Sequence, residues 1–269
     1  MTDDPIVVVG AARTPIGGFQ GVLTGASGPH LGASAIEAAL ERSGVALDTI
    51  DEVLMGCVLA AGQGQAPARQ AALGAGLPLG VGCTTVNKMC GSGMKAVMLA
   101  HDQIQAGSST IVVAGGQESM TNAPYLLPRA RSGLRLGHAD VIDHMFLDGL
   151  EDAYEPGRLM GSFAEDCADH YSFSREDQDD YAIESLTRAT EAIESGAFAS
   201  QITRVTVSTR GEDVTVDTDE QPQTANIEKI PQLKPAFRKG GTVTPANSSS
   251  ISDGAAALVL MRLSEAERG

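Results

Sequence analysis

Thr85-Val86-Asn87-Lys88-Met89-Cys90-Gly91-Ser92-Gly93-Met94-Lys95 decides how this chain reads. A β-like run ends in a glycine-rich turn carrying one cysteine, and an apolar, helix-forming stretch over 94–106 follows. A strand that hands over to a helix through a short turn is the repeating unit of α/β sheets, whose functional loops sit at the C-terminal ends of the strands. A thiol in such a turn faces the free N–H groups and the positive end of the helix, and both favour thiolate over thiol. Thiolate is the reactive form, so the segment is expected to mount a nucleophile for acyl transfer through a thioester.

The flanking sequence keeps the same rhythm. Ile6-Val7-Val8-Val9 is an all-apolar run suited to a sheet covered on both faces. Residues 31–43 have helical apolar spacing and close at Gly44. Strands are expected at 53–58, 84–86 and 110–114, with a short helix at 66–73. From about Ser119 the texture changes: 119–160 is loop-rich, and 162–199 carries helical patterns. Ser174 with Asp177 is predicted to cap the helix that runs to Ala192. A strand at 202–207 and a polar stretch at 208–230 follow, before 254–261 returns as the small, apolar final strand of a central sheet. The expected fold class is α/β, a mixed, mostly parallel sheet covered by helices. One domain of residues 1–119 and 246–269 would be interrupted by an inserted α/β segment at 120–245.

Composition narrows the function classes. Lys and Arg (19) against Asp and Glu (34) give a net charge of −15, which argues against nucleic-acid partners. The cysteines are Cys57, Cys83, Cys90 and Cys167; they form no C-x-x-C pair and no zinc-type spacing, so no metal is expected. Cys57, Cys83 and Cys167 are read as packing residues. Nothing at the N-terminus resembles a secretory signal, and no apolar run reaches membrane-spanning length. A cytoplasmic protein with free thiols and no membrane partner is the expectation.

Several segments in order resemble the thiolase family, and within it the biosynthetic-type acetyl-CoA acetyltransferases. They are Val9-Gly10-Ala11-Ala12-Arg13-Thr14-Pro15-Ile16-Gly17, Val86 to Gly93 around the cysteine, Ala114-Gly115-Gly116-Gln117-Glu118-Ser119-Met120, Leu233-Lys234-Pro235-Ala236-Phe237-Arg238, and Gly241-Thr242-Val243-Thr244 through Asn247, Ser248, Ser249, Asp253 and Gly254. The resemblance implies a thiolase-like N-terminal α/β domain with an inserted loop domain that holds coenzyme A. It makes Cys90 the nucleophile that takes an acyl group from acyl-CoA. Gly91 and Gly93 would let backbone N–H groups approach the thioester oxygen. It places Ser249 on the pantetheine arm beside Ser248, with Phe237, Leu150 and Met160 as apolar walls. Asn247, Asp253 and Gly254 are expected to shape a turn. No cofactor is implied beyond the coenzyme A thioester substrate, acetyl-CoA or acetoacetyl-CoA, and a homo-oligomer, dimer or tetramer, is the expected assembly.

Two positions depart from the family pattern. Leu159-Met160-Gly161 stands where many short-chain members carry His-Met-Gly, which leaves acyl-chain preference open, and Gln223 replaces an arginine near the adenine end. A basic island of Arg129, Arg131 and Arg135 offers either phosphate attraction or a solvated loop or subunit contact. The family's second half supplies an Asn-Glu-Ala-Phe asparagine, a Gly-His-Pro histidine and a second cysteine. None of His30, His101, His138, His144 and His170 sits in such a setting. The chain therefore reads as the N-terminal half with its loop domain, the C-terminal half absent, and the isolated chain as inactive or weakly active. The alternatives are a thiolase for longer 3-ketoacyl-CoA and a non-catalytic coenzyme A-binding or assembly module that needs the second half in trans.

Overall fold

The computed structural model describes residues 4–209 and 211–268. β1 (Ile6–Arg13) and the short β2 (Gly17–Gly18) come first. Ser27 then caps α1 (Gly28–Ser43): its hydroxyl accepts the His30 N–H, and Pro29 sits in the first turn, where a missing N–H costs nothing. The cap starts the helix earlier than its apolar spacing predicted. Gly44 ends it at φ 67°, the left-handed conformation a helix C-terminus favours.

β3 (Glu52–Gly56), α2 (Pro67–Gly74), β4 (Gly82–Val86), α3 (Ser92–Ala106) and β5 (Val112–Ser119) continue the predicted alternation. Small hairpin strands β6 (Tyr125–Leu126) and β7 (Ile142–Asp143) lead to a π-helical turn at Phe146–Leu150. α4 (Met160–Tyr171) and α5 (Arg175–Glu194) follow, the latter with the expected Ser174/Asp177 capping box. β8 (Val205–Thr209) and β9 (Glu212–Val216) form a hairpin, so part of the polar stretch 208–230 is strand rather than irregular chain. The pairing itself organises β9, whose side chains are mostly exposed and carry little apolar signal. α6 (Glu220–Thr224), β10 (Ser252–Arg262) and α7 (Leu263–Ala266) complete the described chain.

The main sheet has the order β1-β10-β5-β3-β4, with β2 on β10. β3 pairs parallel with β4 and β5, whereas β10 pairs antiparallel with β1, β2 and β5. Only β10 runs against the rest, which makes the sheet mixed and mostly parallel, as expected. Two registers matter for the site. Asp253 pairs with Ser119, so the chain leaves β5 and re-enters β10 at one end of the sheet. Gly56 pairs with Val86 and with Gly116, which brings the C-terminal ends of β3 and β4 level beside β5.

Side-chain alternation splits the core into two layers. Val53, Met55, Val113 and Val259 face α1 and α2, against Leu31, Ile36 and Ala71. Leu54, Val112, Ala114 and Leu260 face α3, against Ala96, Ala100 and Ile104. Alanine on both helices lets them approach the sheet closely, which suits a chain without tryptophan. No helix of the described residues is long and apolar enough to cross a membrane.

One partly buried ion pair ties the end of β1 to the chain before α6. Arg13 donates to both Asp219 oxygens at 2.8 and 2.9 Å, Asp219 also accepts the Ile16 N–H at 2.8 Å, and the guanidinium lies over the Phe198 ring. Burial pushes the Asp219 carboxyl up, but the Arg13 and Ile16 hydrogen bonds outweigh it and hold the group below its ordinary value. A depressed carboxylate stabilises fully above its unfolded pKa and loses that contribution as pH falls through the folded one. Melting temperatures of the native chain and Asp219→Asn are expected to differ at neutral pH and to converge below the ordinary aspartate range.

Candidate active site

Cys90 is exposed, at the apex of the turn between β4 and α3. The Gly91 N–H donates to the Lys88 carbonyl at 2.9 Å, which closes a four-residue turn with Cys90 in third place. Its φ is +56°, in the left-handed region. That position in such a turn ordinarily belongs to glycine, and a side chain there costs about 1–2 kcal/mol. Glycine stands one residue later instead. Strain held at an exposed thiol on a strand–turn–helix junction is the geometry of a nucleophile elbow. α3 begins at Ser92 with no side chain capping it at Gly91, which leaves its first-turn amides beside Cys90 without a side-chain partner.

Glycines set the depth of this turn in the fold. A Cβ on Gly56 would lie 2.5 Å from the Gly93 amide nitrogen, and one on Gly116 would lie 3.3 Å from the Gly93 Cα. The start of α3 therefore rests on bare backbone at the end of β3 and in the middle of β5. Gly56→Ala is expected to push α3 outward, at a cost of about 1–3 kcal/mol, and to slow alkylation of Cys90. Chemical denaturation and peptide mapping would read the two effects separately.

Glu118, at the end of β5, organises the chain after β3. It accepts the Val58 and Leu59 N–H groups at 2.8 and 2.9 Å and lies 3.6 Å from the Cys57 sulfur. Burial and then the Glu118 carboxylate push the Cys57 thiol up to about 12, which makes it inert. Burial likewise raises Cys83. Both fit the packing role expected of them. Cys167 does not: it is exposed and lies on a cavity wall.

That cavity, about 830 Å³, brings together Leu150, Leu159, Met160, Phe237, Ser248 and Ser249. Cys90 is not on its wall. Leu59, in the chain after β3, lies 3.3 Å from where a Cβ on Gly149 would sit, next to Leu150. Phe19, Phe146 and Phe173 also line the cavity and were not anticipated. Each comes from a loop or helix end that only the folded chain brings there. The Phe237 ring lies on Gly161, where a Cβ would meet it at 2.3 Å, so glycine is required beneath it.

The two serines differ. Ser248 Oγ donates to the Thr244 carbonyl at 2.7 Å and is committed to its own loop. Among the described residues the exposed Ser249 hydroxyl makes no hydrogen bond and lies on the cavity wall. Asn247 shapes the turn as expected: its Oδ1 accepts the Thr244 N–H and its Nδ2 donates to Asp179 and to the Thr242 carbonyl. Asp253 is fully buried and accepts the Thr121 N–H.

Two acidic side chains anchor this serine loop, and neither was anticipated. Glu165 of α4, 1% exposed, accepts the Thr242 and Val243 N–H groups at 2.9 to 3.0 Å. Asp179 of α5 accepts Asn247 and Arg175. No cluster of three or more His, Cys, Asp or Glu among the described residues could hold a metal ion.

The family model for the thiolase N-terminal domain matches residues 6–264. The chain belongs to the thiolase family. It is 50% identical to an acetyl-CoA acetyltransferase of Pseudomonas aeruginosa over 97% of this chain and 67% of that protein. It is 53% identical to acetyl-CoA acetyltransferase 2 of Arabidopsis thaliana over 95% of this chain and 64% of that protein. The mitochondrial acetyl-CoA acetyltransferase of Mus musculus is 46% identical over 99% and 63%. The chain thus spans about two thirds of the length of these relatives.

As a thiolase, the chain shows its departures in place. Leu159 is the residue before α4 and faces the cavity, whereas Gln223 is exposed and off its wall. Arg129, Arg131 and Arg135 are exposed and also off it. Among the described residues no histidine is bonded to Cys90: buried His144 is held by Asp148 at 2.6 Å and by the Ala61 N–H at 3.4 Å, and His101 meets Asp102.

Proposed function

We propose that this chain performs the acylation step of a thiolase-type acetyltransferase, with Cys90 as nucleophile and acetyl-CoA as donor. The observation that carries the reading is Cys90 itself, an exposed thiol at left-handed φ on the uncapped end of α3. The names of its relatives support the substrate. The Cys90 thiolate attacks the thioester carbonyl carbon; the tetrahedral oxyanion is met by first-turn amides of α3; the C–S bond to coenzyme A breaks and its thiolate leaves. Coenzyme A would lie in the cavity, with Ser249 Oγ on a pantetheine amide and Phe237, Leu150 and Met160 as walls. Residues 120–245 would then act as the segment that holds it.

The full reaction, joining two acetyl-CoA into acetoacetyl-CoA or the reverse, needs a base to take the α-proton of the second acetyl-CoA. The family's second half, in the same polypeptide or in a partner, would supply that base and a Gly-His-Pro histidine to activate Cys90. Mass spectrometry after incubation with acetyl-CoA tests the acylation step. One acetyl group confined to Cys90 supports it. No label, with iodoacetamide no faster at Cys90 than at Cys167, favours the coenzyme A-binding module instead. A second reading, preference for longer acyl chains, is favoured by Leu159 beside Phe19, Phe146 and Leu150 in the cavity. Faster labelling by hexanoyl-CoA than by acetyl-CoA would select it.

A further inference from the structure

The strained turn at Cys90 raises a physical question: what keeps a side chain where glycine is cheaper? The neighbouring hydrogen bond from the Gly91 N–H to the Lys88 carbonyl closes the turn, but glycine at position 90 would close it equally well. The additional restraint comes from Ser92, the first residue of α3, which is 7% exposed. Its hydroxyl accepts the Lys88 N–H at 3.0 Å and donates to the Lys88 carbonyl at 2.8 Å. One side chain thus grips both polar groups of the residue that opens the turn. Its one proton is committed to the Lys88 carbonyl, so the hydroxyl has none idle to give to chemistry at Cys90. The Lys88 carbonyl takes two donors, Gly91 N–H and Ser92 Oγ–H, which uses both of its lone pairs. Ser92 in turn packs closely on the bare backbone of Gly56, where an added Cβ would lie 2.6 Å from its own Cβ. The chain of restraint runs from the end of β3 through Ser92 to Lys88 and so to Cys90.

We propose that Ser92 is a positioning residue for Cys90: its two-way bond to Lys88 locks the turn that aims the thiol at the α3 amides. This rests on Cys90 being the acylated nucleophile, and the test separates the two claims. In Ser92→Ala the acetylation rate at Cys90 is expected to fall by about tenfold or more, because misplacement of a reacting atom by about 1 Å costs up to 10²-fold. Coenzyme A affinity and Cys167 alkylation should hold. Ser92→Thr, which keeps the hydroxyl, should recover the rate to within roughly threefold.

Native-rate acetylation in Ser92→Ala overturns the proposal, as does a loss that Ser92→Thr fails to rescue. If Ser92→Ala does not fold, the matched pair Ser92→Thr and Ser92→Val, differing in the hydroxyl, makes the same comparison. If the native chain takes no acetyl group, the functional reading fails on its own. The ratio of iodoacetamide rates at Cys90 and Cys167 then decides for Ser92: a fall in the alanine variant upholds the lock, and an unchanged ratio ends it.

Discussion

Cys90→Gly is expected to abolish acetyl labelling and, at the same time, to raise the stability of the chain. Loss of a catalytic nucleophile costs on the order of 10⁴-fold or more in rate, so no transfer through position 90 should be measurable. The gain in stability has a separate cause. Cys90 adopts φ +56°, where only glycine is unstrained, and its exposed side chain contributes little packing. Relief of the left-handed penalty is worth about 1–2 kcal/mol, less roughly 0.5–1 kcal/mol for the greater freedom of glycine in the unfolded chain. The net expectation is a gain of several tenths of a kcal/mol to about 1 kcal/mol, read by chemical denaturation. Cys90→Ala, which keeps the strain, should lose the labelling without the gain. A destabilised Cys90→Gly would show that the turn is not strained.

Glu165→Ala should be the most destabilising of the substitutions considered, and its effect on ligand binding should follow from the same contacts. The carboxylate is 1% exposed and satisfies the Thr242 and Val243 amides across a separation of more than seventy residues. Removing it leaves those N–H groups buried without an acceptor, at about 1–3 kcal/mol each, so a total of about 2–4 kcal/mol is expected after partial relaxation. The Arg238 contact adds little, because that guanidinium is 42% exposed and paired mainly with Asp169. Freed from α4, the loop carrying Ser248 and Ser249 should hold coenzyme A more weakly. Equilibrium denaturation reads the first effect and titration calorimetry with coenzyme A the second. Glu165→Gln, which keeps one acceptor, should fall between the two. Unaltered affinity in a folded Glu165→Ala chain would remove the serine loop from the binding site.

Much of the central sheet was legible because its signals are local. Apolar runs marked β1 and β3, helical apolar spacing marked α1, an apolar helix-forming stretch marked α3, and Ser174 with Asp177 marked the cap of α5. The errors have physical reasons. Gly115-Gly116 reads as a strand end, yet β5 continues through both, because a Cβ on Gly115 would lie 2.0 Å from the Ala256 carbonyl of β10. Glycine is there for a close crossing that no neighbouring residue announces. β9 was missed because an exposed hairpin strand needs only its partner's hydrogen bonds. Cys167 was placed in packing because that is the usual fate of a lone cysteine, whereas it is exposed on the wall of an open cavity.

The cysteine turn shows where the two sources of knowledge divide. Residue order alone identified Cys90, placed it between a strand and a helix and tied it to a family, because periodicity, glycine spacing and motif order are properties of short stretches. Only the folded chain revealed that Cys90 bears a left-handed backbone, that Ser92 grips Lys88, and that Glu165 and Asp179 hold the serine loop. The first two lie within one turn but depend on exact backbone angles, whereas the Glu165 and Asp179 contacts join helices to a loop many residues away. Contacts of that range leave no period in a sequence; they exist once burial has brought the partners together.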